Sequence, residues 1–464
     1  MRNSKNNKIA LLFIVGYISL ILTSCENLIE IDSPKGEIPA EMVFESSETA
    51  TAAINQLYAK LRDDSMLTEN LYGSNVTMGF YADEFDYYGS SISPINDYME
   101  HRVLATSTIN KTFWTTSYQL IYMCNLALDR LKGSKKLPVS TKNQLEGEAL
   151  FVRALVHFYL TNYYGDIPYV TTSNYAENQL VSKQKHEQVY QLVKDDLMHA
   201  QELLPKDYPT SERIRANYFT ATALRARVAL YQEKWKEAEE QATSIIASNA
   251  VYVMENDASK TFLKDSKETI LQLKTKKSGD RTYEAIVFVF ETGPPVTMAL
   301  SQRLVNDFEP NDERKQNWIK KVTTNGNSWY CPYKYKQYKV GTTSTEYSIL
   351  FRLAEQYLIR AEARLNQGNI VGAKEDLNVI RQRAGLTPFT SNTLTDLSAA
   401  ILKERRLELF SEQGHRWFDL KRLHLAETVL KPIKMGWKST DVLFPLPEDE
   451  LLMNPNLLPQ NEGY

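Results

Sequence analysis

The most regular apolar pattern in the chain is Phe351, Ala354, Leu358, Ala361 and Leu365, recurring at spacings of 3, 4, 3 and 4. That period places all five on one face of an α-helix. Gln367-Gly368-Asn369 supplies a turn, a second helix is predicted from about Val371 to Arg383, and Gly385 ends it. The pair has an upstream counterpart at an offset of 135 residues. With Arg225-Ala226 set on Arg360-Ala361, Leu230 falls on Leu365, Gln232 on Gln367, Trp235 on Ile370, Ala238 on Ala373 and Ile245 on Ile380. Both segments read helix, short turn, helix, with Ala where helices must approach closely, which is the tetratricopeptide-repeat layout. A third copy begins at Arg153-Ala154, its second helix delayed to about His186–Leu204 by the stop-and-turn run Gly165-Asp166-Ile167-Pro168. The copies are not contiguous. The predicted fold class is therefore mostly α: a tetratricopeptide-like helix-pair scaffold with long loop insertions and a few short β-strands.

The insertions differ from the helices in composition. Residues 66–110 hold Tyr72, Tyr81, Tyr87, Tyr88 and Tyr98 among Gly, Ser and Asp. Residues 250–350 carry β-like runs at Thr269–Leu273 and Ala285–Phe290, and a polar aromatic stretch, read as a loop, from Trp329 through Cys331 to Tyr335. Loops this long in a compact domain are functional or disordered, and aromatic richness argues against disorder.

The amino terminus has a different pattern. Arg2, Lys5 and Lys8 precede an apolar run from Ile9 to Leu22, too short to span a bilayer comfortably, and Leu22-Thr23-Ser24-Cys25 follows at once. This is the layout of a lipoprotein export signal, with residues 1–24 removed and Cys25 lipidated. Glu26 to about Glu41, with Ser33-Pro34, Gly36 and Pro39, reads as a tether. The expected organisation is signal peptide 1–24, lipidated Cys and tether 25–41, and one helical domain 42–464. Several acyl chains on one Cys suffice for stable attachment to a lipid layer, where one would be marginal.

Composition narrows the classes of function. The chain has 464 residues, 43% of them apolar, so a large core is available. The net charge of −3 is mixed in sign and forms no basic stripe, which argues against nucleic acid as a partner. Cys124 and Cys331 are expected as free or buried thiols, since two cysteines are no disulfide framework. The 27 Tyr, 17 Phe and 6 Trp fit either a dense core or an aromatic binding surface.

No catalytic set emerges. Glu404, Arg405, Arg406, Glu408, Arg416, Asp419 and Arg422 have the charges of an active site, but helix spacing beside Trp417 and Phe418 reads as ion pairs tying helices together. Asn311, Asp312 and Arg314 read the same way. Asp83, Glu84 and Asp86 could pair as carboxylates or hold Ca²⁺, and are read as a solvated loop. The six His residues have no metal-ligand spacing, and no nucleophile elbow, phosphate loop or dinucleotide fingerprint occurs. No catalytic residue, metal or cofactor is assigned. Ligand binding is placed instead on loop aromatics flanked by polar groups: Tyr87 and Tyr88 near Asp86, Arg281 and Tyr283, and Trp329 and Tyr330 near Asn327. A sugar ring packs its C–H face on such rings while polar neighbours take its hydroxyls. Trp114, Trp235 and Trp417 recur at apolar helix spacing and read as core.

Four segments resemble the signatures of SusD/RagB outer-membrane lipoproteins. They are RALVHFYLTNYYGDIPYV from Arg153, FRLAEQYLIRAEARLNQG with AKEDLNVIRQRAGL from Phe351 to Leu386, ILKERRLELFSEQGHRWFDLKRL from Ile401, and LFPLPEDELLMNPNLLPQNEGY from Leu443. In the last, Leu446 and Glu462 depart from the usual Pro-Ile-Pro and Asn-Pro-Gly-Tyr. The resemblance implies a helical scaffold with one face on a SusC-like TonB-dependent transporter and a loop-rich part that helps hold an oligosaccharide or peptide, without catalytic residues. It also implies a protein facing the cell exterior. The expected function is a non-catalytic surface lipoprotein that binds a nutrient polymer fragment, oligosaccharide favoured. The alternatives are peptide binding on the same architecture or a ligand-free interaction scaffold; a surface hydrolase is disfavoured by the missing motifs.

Overall fold

The computed structural model describes residues 42–68 and 71–464. The signal segment, Cys25 and the tether lie outside the described residues. Eleven of the helices carry the architecture: α1 (Ser47–Asp63), α2 (Ser74–Tyr81), α3 (Thr108–Gly133), α4 (Val139–Tyr164), α5 (His186–Leu203), α6 (Tyr218–Tyr231), α7 (Trp235–Ile246), α8 (Leu353–Asn366), α9 (Ile370–Arg383), α10 (Leu394–Leu409) and α11 (His415–Arg422). From α3 to α9 each helix packs on the next, and α10 packs on both α8 and α9. The three predicted pairs are α4–α5, α6–α7 and α8–α9, so the third, delayed copy is real.

Local chemistry sets these boundaries. Asn217 caps α6 by accepting from the Thr220 amide at 3.0 Å, and Asn369 caps α9 by accepting from the Gly372 amide at 3.0 Å. Gly368 (φ 80°) and Gly385 (φ 71°) take the left-handed conformation that ends a helix cheaply only for glycine. Between α6, α7 and α8 the contact is made by Ala226, Ala229, Ala238, Ala242 and Ala363 around Leu230 and Ile359, all buried. Small side chains permit that close approach. Leu365, Leu377, Leu397 and Ile401 then fill the layer shared by α8, α9 and α10, each contributing roughly 1.5–3 kcal/mol of burial.

The repeat has an electrostatic signature as well. The arginine aligned in each copy reaches a carboxylate on the second helix of its pair: Arg153 to Asp196 (2.6 Å), Arg225 to Glu237 (2.8 Å) and Arg360 to Asp376 (2.6 Å). A fourth contact, Arg227 to Glu355 (2.6 Å), ties α6 to α8.

Six short strands form three antiparallel pairs: β1 (Phe85–Tyr87) with β3 (Met298–Leu300), β2 (Thr269–Leu273) with β6 (Ser348–Arg352), and β4 (Ile319–Thr324) with β5 (Asn327–Pro332). Several expectations are corrected here. Phe351 is buried as predicted but lies in β6, two residues before α8 begins. Ala285–Phe290 is not a strand: the Thr282 hydroxyl accepts from the Ala285 amide at 3.1 Å and starts a short helix, Tyr283–Phe288. Cys331 and Trp329 lie on β5 rather than in a loop. The missed signal is Asn325-Gly326, both at positive φ (51° and 80°), which is the two-residue turn a right-twisted hairpin demands. Cys124 and Cys331 are both free and buried.

The charged run of α10 and α11 is structural, as expected, and larger than predicted. Glu408 is fully buried and accepts from Arg352 (2.5 Å), Arg383 and Arg314 (3.2 Å). Arg314 also meets Asp312 (2.8 Å) and Glu404 (2.5 Å). Burial alone would push Glu408 up; Arg383, Arg352 and Arg314 outweigh it and hold the carboxyl well below the usual carboxylate range. The ring of Trp318, buried beside this cluster, has Arg383, Lys334 and Arg352 at 4.9, 5.1 and 5.9 Å from its centre. Asp83 and Glu84 are not solvated. Asp83 is bound by Arg416 (2.8 Å) and Arg406 (2.8 Å), and Glu84 accepts from the Ser411 amide. Only Asp86 of that trio is exposed. The pairing, with partners more than 300 residues away, is what buries them.

Candidate functional site

The loop aromatics divide into those that pack and those that face outward. On β1, Tyr87 pairs with Met298, and the next residue, Tyr88, donates its amide to the Thr297 carbonyl at 2.8 Å. Tyr87 turns inward. Its ring meets Phe80 edge-on at 5.5 Å, and its hydroxyl donates to the Ser90 carbonyl at 2.8 Å. Tyr88 points the other way and is 41% exposed. The same alternation holds on β5, where successive side chains take opposite faces. Tyr330 and Trp329 are both half-buried on opposite faces: Tyr330 packs against the core cluster, and Trp329, paired with buried Val322, lies on the other side.

Trp329 and Tyr88 are brought together although 241 positions separate them in sequence. Burial and Asp86 raise the Tyr88 hydroxyl above its ordinary range, and a hydrogen bond from Trp329 opposes the rise. The indole lies on Gly293, where an added Cβ would come within 2.2 Å of the ring. The Gly293 amide donates to the Thr324 hydroxyl on β4 at 2.9 Å. Glycine is required here by close approach, and the contact fixes the indole on a hairpin that is itself hydrogen-bonded along its whole length. Exposed Ile92 and Val296 extend the apolar surface on the loops flanking β1 and β3.

Arg281 and Tyr283 sit elsewhere. Tyr283 donates to Asp63 at the end of α1 (3.3 Å), and Asp63 is held by Arg62 (2.6 Å). Arg281 donates to the Tyr338 carbonyl at 3.1 Å. Tyr338, not singled out in the sequence, donates its hydroxyl to Glu291 at 2.8 Å and has Lys320 at 5.0 Å from its ring centre. Nothing in spacing marked Tyr338, Glu291 or Gly293; the Gly293-Pro294 dipeptide is the one turn signal that could have pointed there.

The arrangement is suited to binding. Among the described residues no group of three His, Cys, Asp or Glu side chains is placed to hold a metal ion. Burial, helped by Asp83, raises the Glu84 carboxyl to about 7, but it is enclosed at 2% exposure and no substrate reaches it. No helix of the described residues is long and apolar enough to cross a membrane.

Helix pairs of tetratricopeptide type, with an aromatic pair braced on the inserted segments, define a helical scaffold protein. Comparison with known proteins places it further. Residues 160–464 match the SusD family model, and residues 32–230 match a SusD-like model described as starch-binding and associating with the outer membrane. The chain belongs to the SusD family. SusD-like protein P2 of Formosa agariphila is 27% identical over 97% of this chain and 99% of its own length. A SusD-like protein of Bacteroides fragilis superposes with a TM-score of 0.79 at 21% identity, covering 92% of this chain and all of that one. Surface glycan-binding protein A of Bacteroides thetaiotaomicron, solved with laminarihexaose, superposes with a TM-score of 0.76 at 18% identity over 89% of this chain and 99% of its own.

Proposed function

We propose that this protein is a non-catalytic outer-membrane lipoprotein whose loop face binds an oligosaccharide and passes it to a SusC-like TonB-dependent transporter. The observation that carries the reading is the Tyr88–Trp329 pair. Tyr88, exposed just beyond β1, and Trp329, half-buried on β5, present their rings together, and Asp86 and Asn327 lie exposed beside them. Flat rings offer a platform to the C–H face of a sugar, and preformed positions spare the ordering cost of binding. A family relative solved with laminarihexaose supports a glucan as the first ligand to try.

Calorimetry with laminarihexaose, maltohexaose, cellohexaose and a tryptic peptide mixture tests the ligand class. Saturable binding of at least one glycan is expected; binding of peptides alone would replace the sugar assignment. The bound glycan should also leave with its length unchanged after prolonged incubation, because the sequence carries no nucleophile motif and no metal-holding group is assembled among the described residues. New reducing ends that scale with protein concentration would refute the non-catalytic reading.

The anchor is proposed at Cys25. Cys25→Ala is expected to move the protein from the washed membrane fraction to the soluble fraction, because the lipid is the covalent anchor that the amino-terminal pattern offers. Retention of the variant on membranes would place the anchor elsewhere. Protease treatment of intact cells should degrade the wild-type protein if the loop face is outside.

A further inference from the structure

A cavity of about 320 Å³ opens where the ends of four scaffold helices meet, away from the loop strands. Asn162 comes from the end of α4, His186 and Tyr190 from the start of α5, Tyr231 and Gln232 from the end of α6, and Lys421 from α11. Its volume lies at the small end of the roughly 300–1,000 Å³ range of ligand pockets, which suits one ring rather than a chain.

The walls carry polar groups with bonding capacity to spare. The Lys421 ammonium donates to the Asn162 carbonyl and, among the described residues, makes no other hydrogen bond or ion pair. His186 uses Nδ1 on the Thr161 hydroxyl (2.8 Å) and leaves Nε2 without a partner among the described residues. Nor does a hydrogen bond from the described residues reach the Tyr231 hydroxyl or the Gln232 side-chain amide. Aromatic surface lies between them: Tyr190, Tyr231 and Phe418 line the same space.

The buried charges around Lys421 are already committed. Arg422 is held by Glu362 (2.5 Å) and Asp419 (2.8 Å). Asp166 is held by Lys185 (2.8 Å) and by the His186 amide (2.9 Å). Glu187 and His424 are exposed, and Glu233, exposed at the rim, carries no ion pair. The lysine therefore lacks a counter-charge. Burial pushes it down to about 7, and the same burial, with Lys421 beside it, pushes His186 down to about 4. A half-buried cation without a counter-charge is costly, and an entering anion removes that cost.

We propose that this cavity is a second ligand site, separate from the loop face, that binds a single acidic sugar ring with its carboxylate on Lys421 and its ring against Tyr190, Tyr231 and Phe418. His186, Tyr231 and Gln232 take the ring hydroxyls. The site does not depend on the loop-face reading, and its readout is at Lys421 itself.

The test uses glucuronate, glucose and inorganic sulfate as probes on the purified protein. Glucuronate is expected to bind, with glucose and sulfate each at least about tenfold weaker, since one lacks the charge and the other the ring. Lys421→Met should weaken glucuronate by about tenfold or more without lowering the melting temperature, and Lys421→Arg should restore most of it. Binding should fade as pH rises through about 7, where the free ammonium loses its proton. In the unmodified protein, NMR of the lysine side chains should show the Lys421 midpoint move upward on adding glucuronate. No binding at tens of millimolar glucuronate, equal binding of sulfate or glucose, an unaltered Lys421→Met variant, or an unmoved Lys421 midpoint would each overturn the proposal.

Discussion

Tyr88→Ala and Trp329→Ala are each expected to weaken oligosaccharide binding by about 2 kcal/mol or more, with the melting temperature nearly unchanged. The energy is concentrated in these two because Tyr88 is exposed with its amide held on the Thr297 carbonyl just beyond β1, and Trp329 is half-buried at the surface with its backbone held in the β4–β5 pairing. Truncating either removes a platform and leaves the other without its neighbour, so the double variant should lose less than the sum. Tyr87→Ala and Tyr330→Ala provide the contrast. Both rings pack on the core, so these variants should lower the melting temperature and affect binding only through it. Titration calorimetry beside thermal unfolding separates the two classes. Normal binding by both Tyr88→Ala and Trp329→Ala would move the site off this face.

The largest loss of stability is expected from Glu408→Gln, at about 3–5 kcal/mol. Three guanidinium groups, from Arg352, Arg383 and Arg314, converge on this carboxylate in a region closed to water. A neutral amide of the same shape keeps the packing and strips the counter-charge, leaving buried cations in excess. The carboxyl is held below its ordinary value of 4.5, so its contribution is complete above that pH and is lost as the pH falls toward the folded value. The difference between variant and wild type in urea unfolding should therefore shrink in acid. A penalty that did not change with pH would assign the loss to shape rather than charge.

The scaffold was legible because its signals are local and periodic. The apolar spacing of α8, the 135-residue echo in α6 and α7, and the closing glycines at 368 and 385 each act within a few residues of where they are read. The charge run Glu404–Arg422 was likewise legible as structure from helix spacing beside Trp417. What the sequence hid is long-range. Asp83 and Glu84 look like a solvated acidic loop because the arginines and the amide that bury them come from residues 406–416. Tyr87 and Tyr88 look equivalent until the pairing of β1 with β3 turns one in and the other out. Trp329 was singled out for its loop chemistry, but its brace at Gly293 and its neighbour Tyr88 depend on three separate strands meeting. Arg281 and Tyr283, grouped with them by composition, are drawn away by Asp63 and Tyr338.

The pairing of β2 with β6 bears on where the inserted segment tolerates change. Residues 269–273 and 348–352 are hydrogen-bonded to one another at the junction with the helix pairs, so the polypeptide between them leaves and re-enters the scaffold through a zipped neck. The entropy of closing that long excursion is met at the neck, and it grows only slowly with the length enclosed. Trp329, Gly293, Tyr338 and Glu291 all lie inside. So do Arg314, Trp318 and Lys334, which are bonded to or stacked on the buried charges of α9 and α10. The excursion is thus moored twice, at the neck and at this inner berth: its outer turns can lengthen or shorten while the two moorings keep the helices in register.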